Sequence, residues 1–268
     1  MQNIHTPSSK IIGVLGGCGP HAGLCLVKKI FEHTVAGVDQ EHLPVYLSSV
    51  PERIPDRTEY LLDRNKENPG YAIADLIIQM ESVGVDTVGI ACNTSHADDI
   101  FHVIRESLLR KLSTVRLLNI LDETVLALRD TYPDTRNVAV LSSYGTYKYR
   151  LYDDKLEAHG YNVIRPDNEF QWEYIHQSVY DQRFGLKARS SPVSKWVKTK
   201  LRKALDFFEK NNTEAIILGC TEFSLLADDP LFSGLQVIDS TTALARALIR
   251  ETYPGKLTSP VRLAAAGQ

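Results

Sequence analysis

Two stretches of the chain repeat one pattern: VGVDTVGIACNTSHADD at residues 83–99 and NNTEAIILGCTEFSLLADD at residues 211–229. Each passes from a polar turn through an apolar run to a cysteine, then a threonine, and ends in Ala-Asp-Asp. The chain has only four cysteines, and these segments place Cys92 and Cys220 at matching points. The repeat predicts two related structural units, each with one thiol at the same place.

Short apolar runs before the first of these cysteines predict buried strands at 11–16, 43–50 and 87–92. Between them, apolar residues at helical spacing predict helices after Pro20 and over Tyr71–Val83. Strands that alternate with helices indicate an α/β fold with a parallel sheet. The intervening segment PERIPDRTEY contains two prolines and is predicted to be a loop.

The pattern begins again near residue 137, with strands predicted at 161–166 and 213–220 and helices at 149–159 and 194–210. Leu15 lies 77 positions before Cys92 (92 − 15), and Leu141 lies 79 positions before Cys220 (220 − 141). This spacing supports a duplication, so we expect two similar parallel-sheet α/β domains related by pseudo-symmetry, with an active site in the cleft between them.

A last helix over residues 241–252 follows a short strand and is predicted to return to the first domain. The predicted first domain is therefore discontinuous, with residues 1–118 plus 240–268. The second domain is predicted to span residues 119–239.

Composition excludes several classes of protein. The net charge of −3 and the absence of a basic stripe argue against nucleic-acid and membrane-surface binding. No apolar segment follows the polar start MQNIHTPSSK, and no apolar run reaches 18 residues, so neither a signal peptide nor a membrane span is predicted. We therefore expect a cytoplasmic protein whose cysteines are free thiols.

Both repeated cysteines are predicted to lie at the carboxyl ends of strands, where parallel sheets bind ligands. Each is also expected beside a helix N-terminus, which favours a thiolate. A single cysteine there is more often inert packing, but two at equivalent points of a repeat favour a function. Two thiols that face one cleft suit a base on one side of a carbon and an acid on the other. Cys25 is expected in the core, and Cys18 near the ligand without a catalytic role.

Two other motifs are weak. Gly17 to Ala22 fits a dinucleotide-binding glycine pattern, but Pro20 removes an N–H at the helix entry and no acidic residue ends the second strand. Cys92 and His96 have the spacing of a metal-ligand pair, but no further Cys/His cluster supports a metal site.

The motifs GGCGPHAG (16–23), PDRTEY (55–60), ACNTSH (91–96) and GCTEF (219–223) make the chain resemble the aspartate/glutamate racemase family, in its aspartate racemase-like branch. The resemblance covers nearly the whole chain. It implies an isomerase that racemises an acidic amino acid, most readily aspartate, without pyridoxal phosphate, metal or other cofactor. It also implies a homodimer.

By the same resemblance, the thiolate of Cys92 or Cys220 removes the α-proton while the other thiol protonates the opposite face. A free thiol has a pKa of about 8.5, so a modest shift brings it near working pH. The carbanion needs hydrogen-bond donors at the substrate α-carboxylate. The candidates for this role are Asn93, Thr94, Ser95 and Thr221. The two threonines are alternatively helix caps.

The resemblance assigns the substrate side-chain carboxylate to Arg57, whose guanidinium suits bidentate binding. The second cation is predicted to be Lys187, with Arg183 as the alternative. Thr146 matches a position near the ligand. Glu222 stands where glutamate-specific relatives have histidine, and is expected to hold the substrate ammonium or to orient Cys220. Cys18 and Gly23 also depart from the commoner pattern GGMGPxAT.

Three alternatives remain open at this point. One is a glutamate or broad-specificity amino-acid racemase. Another is a cis–trans isomerase of a dicarboxylate such as maleate, in which one sulfur adds to the double bond. The third is a non-catalytic protein that binds a dicarboxylate.

Overall fold

The computed structural model describes residues 10–259, which form two four-stranded parallel sheets with helices around them. In the first sheet the strands lie in the order β2-β1-β3-β4, and in the second in the order β6-β5-β7-β8. The two orders are the same once the strands of each half are numbered separately. The fold is thus the predicted pair of similar α/β units.

The strands are short, and every pairing between them is parallel. Their bounds are β1 Ile11–Leu15, β2 Val45–Ser48, β3 Val85–Ile90, β4 Arg116–Leu118, β5 Asn137–Leu141, β6 Asn162–Ile164, β7 Ala215–Leu218 and β8 Gln236–Asp239. In β7 all four residues are buried, and in β3 five of six are buried. Burial on both faces explains why these strands are continuous apolar runs.

The helices that connect and cover the strands include several short ones. They are α1 Pro20–Glu32, α2 Arg57–Leu62, α3 Pro69–Ser82, α4 Asp98–Arg110, α5 Ile120–Thr131, α6 Tyr144–Lys148, α7 Asp153–Ala158, α8 Asn168–Phe170, α9 Gln177–Tyr180, α10 Lys195–Lys210 and α11 Ser240–Thr252. A π-helical turn, Gln171–His176, joins α8 to α9.

The long helices lie close to the positions that the sequence predicts. Helix α10 was predicted over 194–210 and occupies Lys195–Lys210, because the Ser194 side chain accepts a hydrogen bond from the Val197 N–H and caps it. Helix α11 has nine buried residues among thirteen and packs against α1, β3 and α5. It therefore contacts elements of both halves.

Two local predictions are wrong. The segment predicted as a loop before α3 contains α2, which begins at Arg57 because the Asp56 side chain accepts a hydrogen bond from the Glu59 N–H. The helix predicted over 149–159 is broken, since Arg150 adopts a positive φ of 52° and α7 begins only at Asp153. Positive φ is costly for residues other than glycine and does not continue a right-handed helix.

The predicted domain boundaries stay a prediction, and their end segments 1–9 and 260–268 lie outside the described residues. Within residues 10–259, no helix combines the length and the apolar character that crossing a membrane requires.

Candidate active site

A small cavity lies between the two sheets, where β3 and β7 end. Cys92 and Cys220 each follow the last residue of their strand by two positions, and both thiols line this cavity. Its volume of about 10 Å³ leaves room for no more than about one water molecule. The other lining residues are Cys18, Arg57, Ala91, Asn93, Thr94, Ser143, Tyr180, Lys187, Thr221 and Glu222.

The surroundings of Cys92 favour a thiolate. A hydrogen bond from the Cys18 thiol holds the pKa of Cys92 well below the ordinary thiol value, against the opposing effect of burial. The Arg57 charge and the Ser95 hydroxyl lower this pKa further. The pKa of Cys18 is raised in turn, chiefly by its hydrogen bond with Cys92. Of these two buried sulfurs, Cys18 is therefore the favoured site for the proton and Cys92 the favoured site for the negative charge.

The surroundings of Cys220 favour the neutral thiol. Burial raises its pKa well above the ordinary value, and the negative charge of Glu222 raises it further. The Cys220 thiol donates a hydrogen bond to Glu222 Oε2 at 2.9 Å. The pKa values of the two cavity thiols are therefore shifted in opposite directions, which suits a base and an acid acting together.

Glu222 is ionised despite its burial. Burial alone would raise the pKa of its carboxyl, but the charge of Lys187 and the Cys220 hydrogen bond lower it below the ordinary value. Lys187 Nζ lies 3.1 Å from Glu222 Oε1. Burial opposes the charge on Lys187, but Glu222 and Tyr180 raise its pKa overall, so the pair stays charged.

Two cations converge on one oxygen of the cavity wall. Arg57, which is only 5% exposed, donates from Nη2 to the Cys18 carbonyl oxygen at 2.6 Å. Lys187 Nζ donates to the same oxygen at 3.4 Å. Among residues 10–259, no atom forms a hydrogen bond with the buried Arg57 Nε. The first half and the second half thus each contribute one cation that donates to the Cys18 carbonyl oxygen.

The predicted hydrogen-bond donors lie at the boundary between the halves. Thr94 Oγ1 is 3.1 Å from Ser143 Oγ and 2.9 Å from Thr146 Oγ1. Thr221 Oγ1 donates to the Ala91 carbonyl at 3.1 Å. Thr94 and Thr221 therefore link the two halves, and neither caps a helix with its side chain. Thr146 does not line the cavity and contacts two residues that do, Thr94 and Ser143, the latter at 3.5 Å between the hydroxyl oxygens.

Asn93 and Ser95 are held by buried groups. Tyr152 donates from its hydroxyl to Asn93 Oδ1 at 2.5 Å, and Asn93 Nδ2 donates to Ser240 Oγ at 3.2 Å. Ser95 Oγ lies 3.4 Å from Cys18 Sγ. Ser95 does not line the cavity, but its side chain forms a hydrogen bond with Cys92.

The predicted helix N-termini beside the cysteines are wrong. A 3₁₀ turn, Thr94–His96, follows Cys92, and α4 begins only at Asp98. A 3₁₀ turn over Phe223–Leu226 follows Cys220. In the described part of the chain, neither cysteine lies beside the N-terminus of an α-helix, so no helix macrodipole acts on its thiol. The pKa shifts of the two thiols therefore come from neighbouring side chains.

Comparison with known proteins places this chain in a family. The family model described as Asp/Glu/Hydantoin racemase matches residues 15–248. The chain belongs to this racemase family. The chain is 24% identical over 251 residues to a broad specificity amino-acid racemase, RacX, of Bacillus subtilis (strain 168), which covers 91% of this chain and 98% of that protein.

Solved structures of racemases share the fold. An aspartate racemase of Picrophilus torridus is 31% identical, with a TM-score of 0.76, over 93% of this chain and 96% of the other. A glutamate racemase of Francisella tularensis, solved with D-glutamate, has a TM-score of 0.62 over 94% of this chain and 84% of the other. Its identity of 17% supports a likeness of fold alone.

The two residues predicted as alternatives for the second cation differ in position. Lys187 lines the cavity, whereas Arg183 is exposed in a turn where its N–H donates to Asp181. Cys18 lines the cavity as predicted, and Cys25 lies half-buried on α1, away from it.

The weak motifs of the sequence have structural explanations. His96 is buried, and its ring nitrogens lie 3.0 Å from the Cys92 carbonyl and 3.4 Å from the Leu118 carbonyl. Within the described residues, no cluster of three potential metal ligands is present. In the glycine loop, a Cβ at Gly19 would lie 2.8 Å from Glu222 Oε1. The glycine therefore allows the loop to approach the opposite half of the site.

Three residues of the cavity wall, Ala91, Ser143 and Tyr180, are not among the site residues predicted from the sequence. Ser143 follows the end of β5, so its position at the carboxyl edge of the second sheet could have suggested it. Tyr180 ends the short helix α9, and no motif marks it.

Proposed function

We propose that the chain is a cofactor-independent racemase of an acidic amino acid, with aspartate as the first candidate. The observation that carries the proposal is the difference between the two thiols on one cavity. Cys92 has groups that stabilise a thiolate, and Cys220 has groups that keep its proton. This is the starting state that a two-base proton transfer needs.

In the proposed reaction, the Cys92 thiolate takes the α-proton and becomes a thiol. The C–H electron pair remains on the substrate as a carbanion. Cys220 then gives its proton to the opposite face of that carbon and becomes the thiolate, so charge and protons balance. The reverse direction exchanges the two roles.

The charged side chains around the cavity suggest how the substrate would be held. Arg57 and Lys187 would share the side-chain carboxylate, because both already donate to one oxygen in the closed cavity. Glu222 would bind the substrate ammonium. Donors around Asn93 and Thr94 would face the α-carboxylate, where negative charge grows as the proton leaves.

This arrangement favours an amino acid over a maleate-type substrate. The Glu222 carboxylate can accept hydrogen bonds from a substrate ammonium group, and a maleate-type dicarboxylate has no such group to donate. The name of the Bacillus subtilis relative leaves room for several amino acids, but two cations at one site argue for acidic ones.

The test is α-proton exchange in heavy water, with inversion followed by circular dichroism on L- and D-aspartate. The wild type should invert both enantiomers and incorporate deuterium at Cα. Cys92→Ser and Cys220→Ser should each lose at least about 100-fold in inversion, the usual scale for removing a general base or acid. Conversion of maleate to fumarate is measured in parallel.

A finer outcome separates a two-base from a one-base mechanism. Cys220→Ser retains Cys92, so it should still exchange the α-proton of one enantiomer without inverting it. Cys25→Ser is the matched control and should behave like the wild type, since Cys25 lies away from the cavity. If either active-site serine variant keeps most of its inversion rate, the two-base proposal is wrong.

The homodimer implied by the resemblance also remains a proposal. Sedimentation of the wild type checks it directly, since a single species of monomer mass would contradict it.

A further inference from the structure

We propose that Tyr180 determines the length of the acidic side chain that the site accepts. The proposal rests on the function proposed above for the same cavity. The Tyr180 ring forms the wall beside the two cations, and so limits the depth available beyond the reacting carbon.

Tyr180 contacts Lys187 directly and contacts the chain neighbours of Arg57. Lys187 Nζ lies 5.0 Å from the centroid of the Tyr180 ring and over its face, a cation–π contact. The Tyr180 hydroxyl lies 3.3 Å from Asp56 Oδ2 and 3.3 Å from Thr58 Oγ1. These residues stand on either side of Arg57 at the start of α2. One side chain from the second half thus spans the space between the two cations.

The ring is supported from behind and cannot easily move away. His176 stacks on Tyr180 with ring centroids 4.5 Å apart and an interplanar angle of 23°. Trp172 packs against His176 at 4.4 Å. His176 Nδ1 accepts a hydrogen bond from the Tyr144 N–H at 3.2 Å, which fixes this ring as well. The wall is therefore a packed column of aromatic rings.

A rigid wall makes chain length matter. The two thiols fix the position of the substrate α-carbon, and the Arg57–Lys187 pair fixes the position of its distal carboxylate. The cavity between these points is small and must open to admit either diacid, and a four-carbon skeleton requires less opening than one with an extra methylene. Glutamate would push its extra methylene toward the Tyr180 ring.

The experiment compares kcat/KM for aspartate and glutamate in Tyr180→Ala, Tyr180→Phe and the wild type. Tyr180→Ala should raise the ratio of glutamate to aspartate by about tenfold or more, because one methylene in a pocket is worth roughly 10–200-fold. Tyr180→Phe keeps the ring and should keep the aspartate preference, even if loss of the hydroxyl contacts lowers both rates. Tyr174→Ala, in the same helical segment but away from the cavity, is the control and should leave the ratio unchanged.

Calorimetric binding of succinate and glutarate gives a second readout that does not depend on catalysis. The same variants should show the same change in preference, from the four-carbon to the five-carbon diacid. An unchanged ratio in Tyr180→Ala, an equal shift in Tyr180→Phe, or binding of neither diacid by the wild type would overturn the proposal. Selective binding of succinate without racemisation would contradict the proposed function only. Far-UV circular dichroism of each variant confirms that it is folded.

Discussion

At the scale of single residues, Cys92 and Cys220 occupy equivalent positions in two similar halves, but their neighbouring side chains shift the thiol pKa in opposite directions. Cys92 has a thiol, a hydroxyl and a guanidinium around it. Cys220 has a carboxylate two residues along the chain. Because the halves are similar, each contributes one cysteine at an equivalent position. Because the side chains around these cysteines differ, the two thiols are chemically different.

This asymmetry predicts the pH dependence of kcat/KM. Racemisation in either direction needs one proton on the cysteine pair, so activity should fall when Cys92 gains a proton and when Cys220 loses one. The pKa of Cys92 lies well below the ordinary value and that of Cys220 well above it. We therefore expect a broad plateau, with an acid limb well below about 8.5 and a basic limb well above it.

Two substitutions should move the two limbs in different ways. Cys18→Ala removes the donor to the Cys92 thiolate, so the pKa of Cys92 should rise and the acid limb should move to higher pH. Glu222→Gln removes a negative charge that raises the pKa of Cys220 and, as a lesser cause, that of Cys92, so the basic limb should move to lower pH by more than the acid limb does. If Glu222→Gln left the basic limb in place, or Cys18→Ala left the acid limb in place, the assignment of base and acid would be wrong.

The sequence could predict some of these residues and not others. Cys92 and Cys220 are visible because a repeated motif marks them, and Arg57 because the resemblance does. The contacts of Cys18 with Cys92 and of Glu222 with Lys187 join residues far apart in the chain, and no local pattern encodes such distances. Tyr180 reaches the cavity through the packing of a column of rings, which composition cannot show.

At the scale of elements, the length of a helix decides whether its sequence pattern predicts it. Helices α10 and α11 have 16 and 13 residues, enough for an apolar periodicity to appear. Helix α2 has only six residues and follows two prolines, so it has no visible period. This short helix nevertheless carries Arg57 and lies against α6 of the other half.

The contact between α2 and α6 depends on a glycine. A Cβ at Gly145 would lie 2.9 Å from Thr58 Oγ1 and 3.3 Å from Thr58 Cα. Gly145→Ala should push α2 and Arg57 outward and lower kcat/KM by roughly 10–100-fold, since a shift of about 1 Å at a site can cost that much. Gly255→Ala is the matched control, because a Cβ there meets nothing within 4 Å. Equal activity of both variants would show that α2 and α6 need not approach this closely.

At the scale of the whole molecule, the candidate site exists only where the two halves meet. The cavity has room for about one water molecule, so an amino acid can enter only if the two halves separate. A ligand held by Arg57 from one half and Lys187 from the other would then draw them together. Binding should therefore stabilise the folded chain as a unit.

This expectation gives a thermal-shift prediction for L-aspartate or succinate. At about 100 times its Kd, a ligand that binds only the folded chain adds about 2.7 kcal/mol, or roughly 5–10 °C in Tm for a chain of this size. Arg57→Ala and Lys187→Ala should each remove most of the shift, because each leaves the carboxylate with one cation. Arg183→Ala should keep it, since Arg183 is exposed outside the cavity. A full shift in Lys187→Ala would mean that the first half holds the ligand alone, and a lost shift in Arg183→Ala would make Arg183 the second cation.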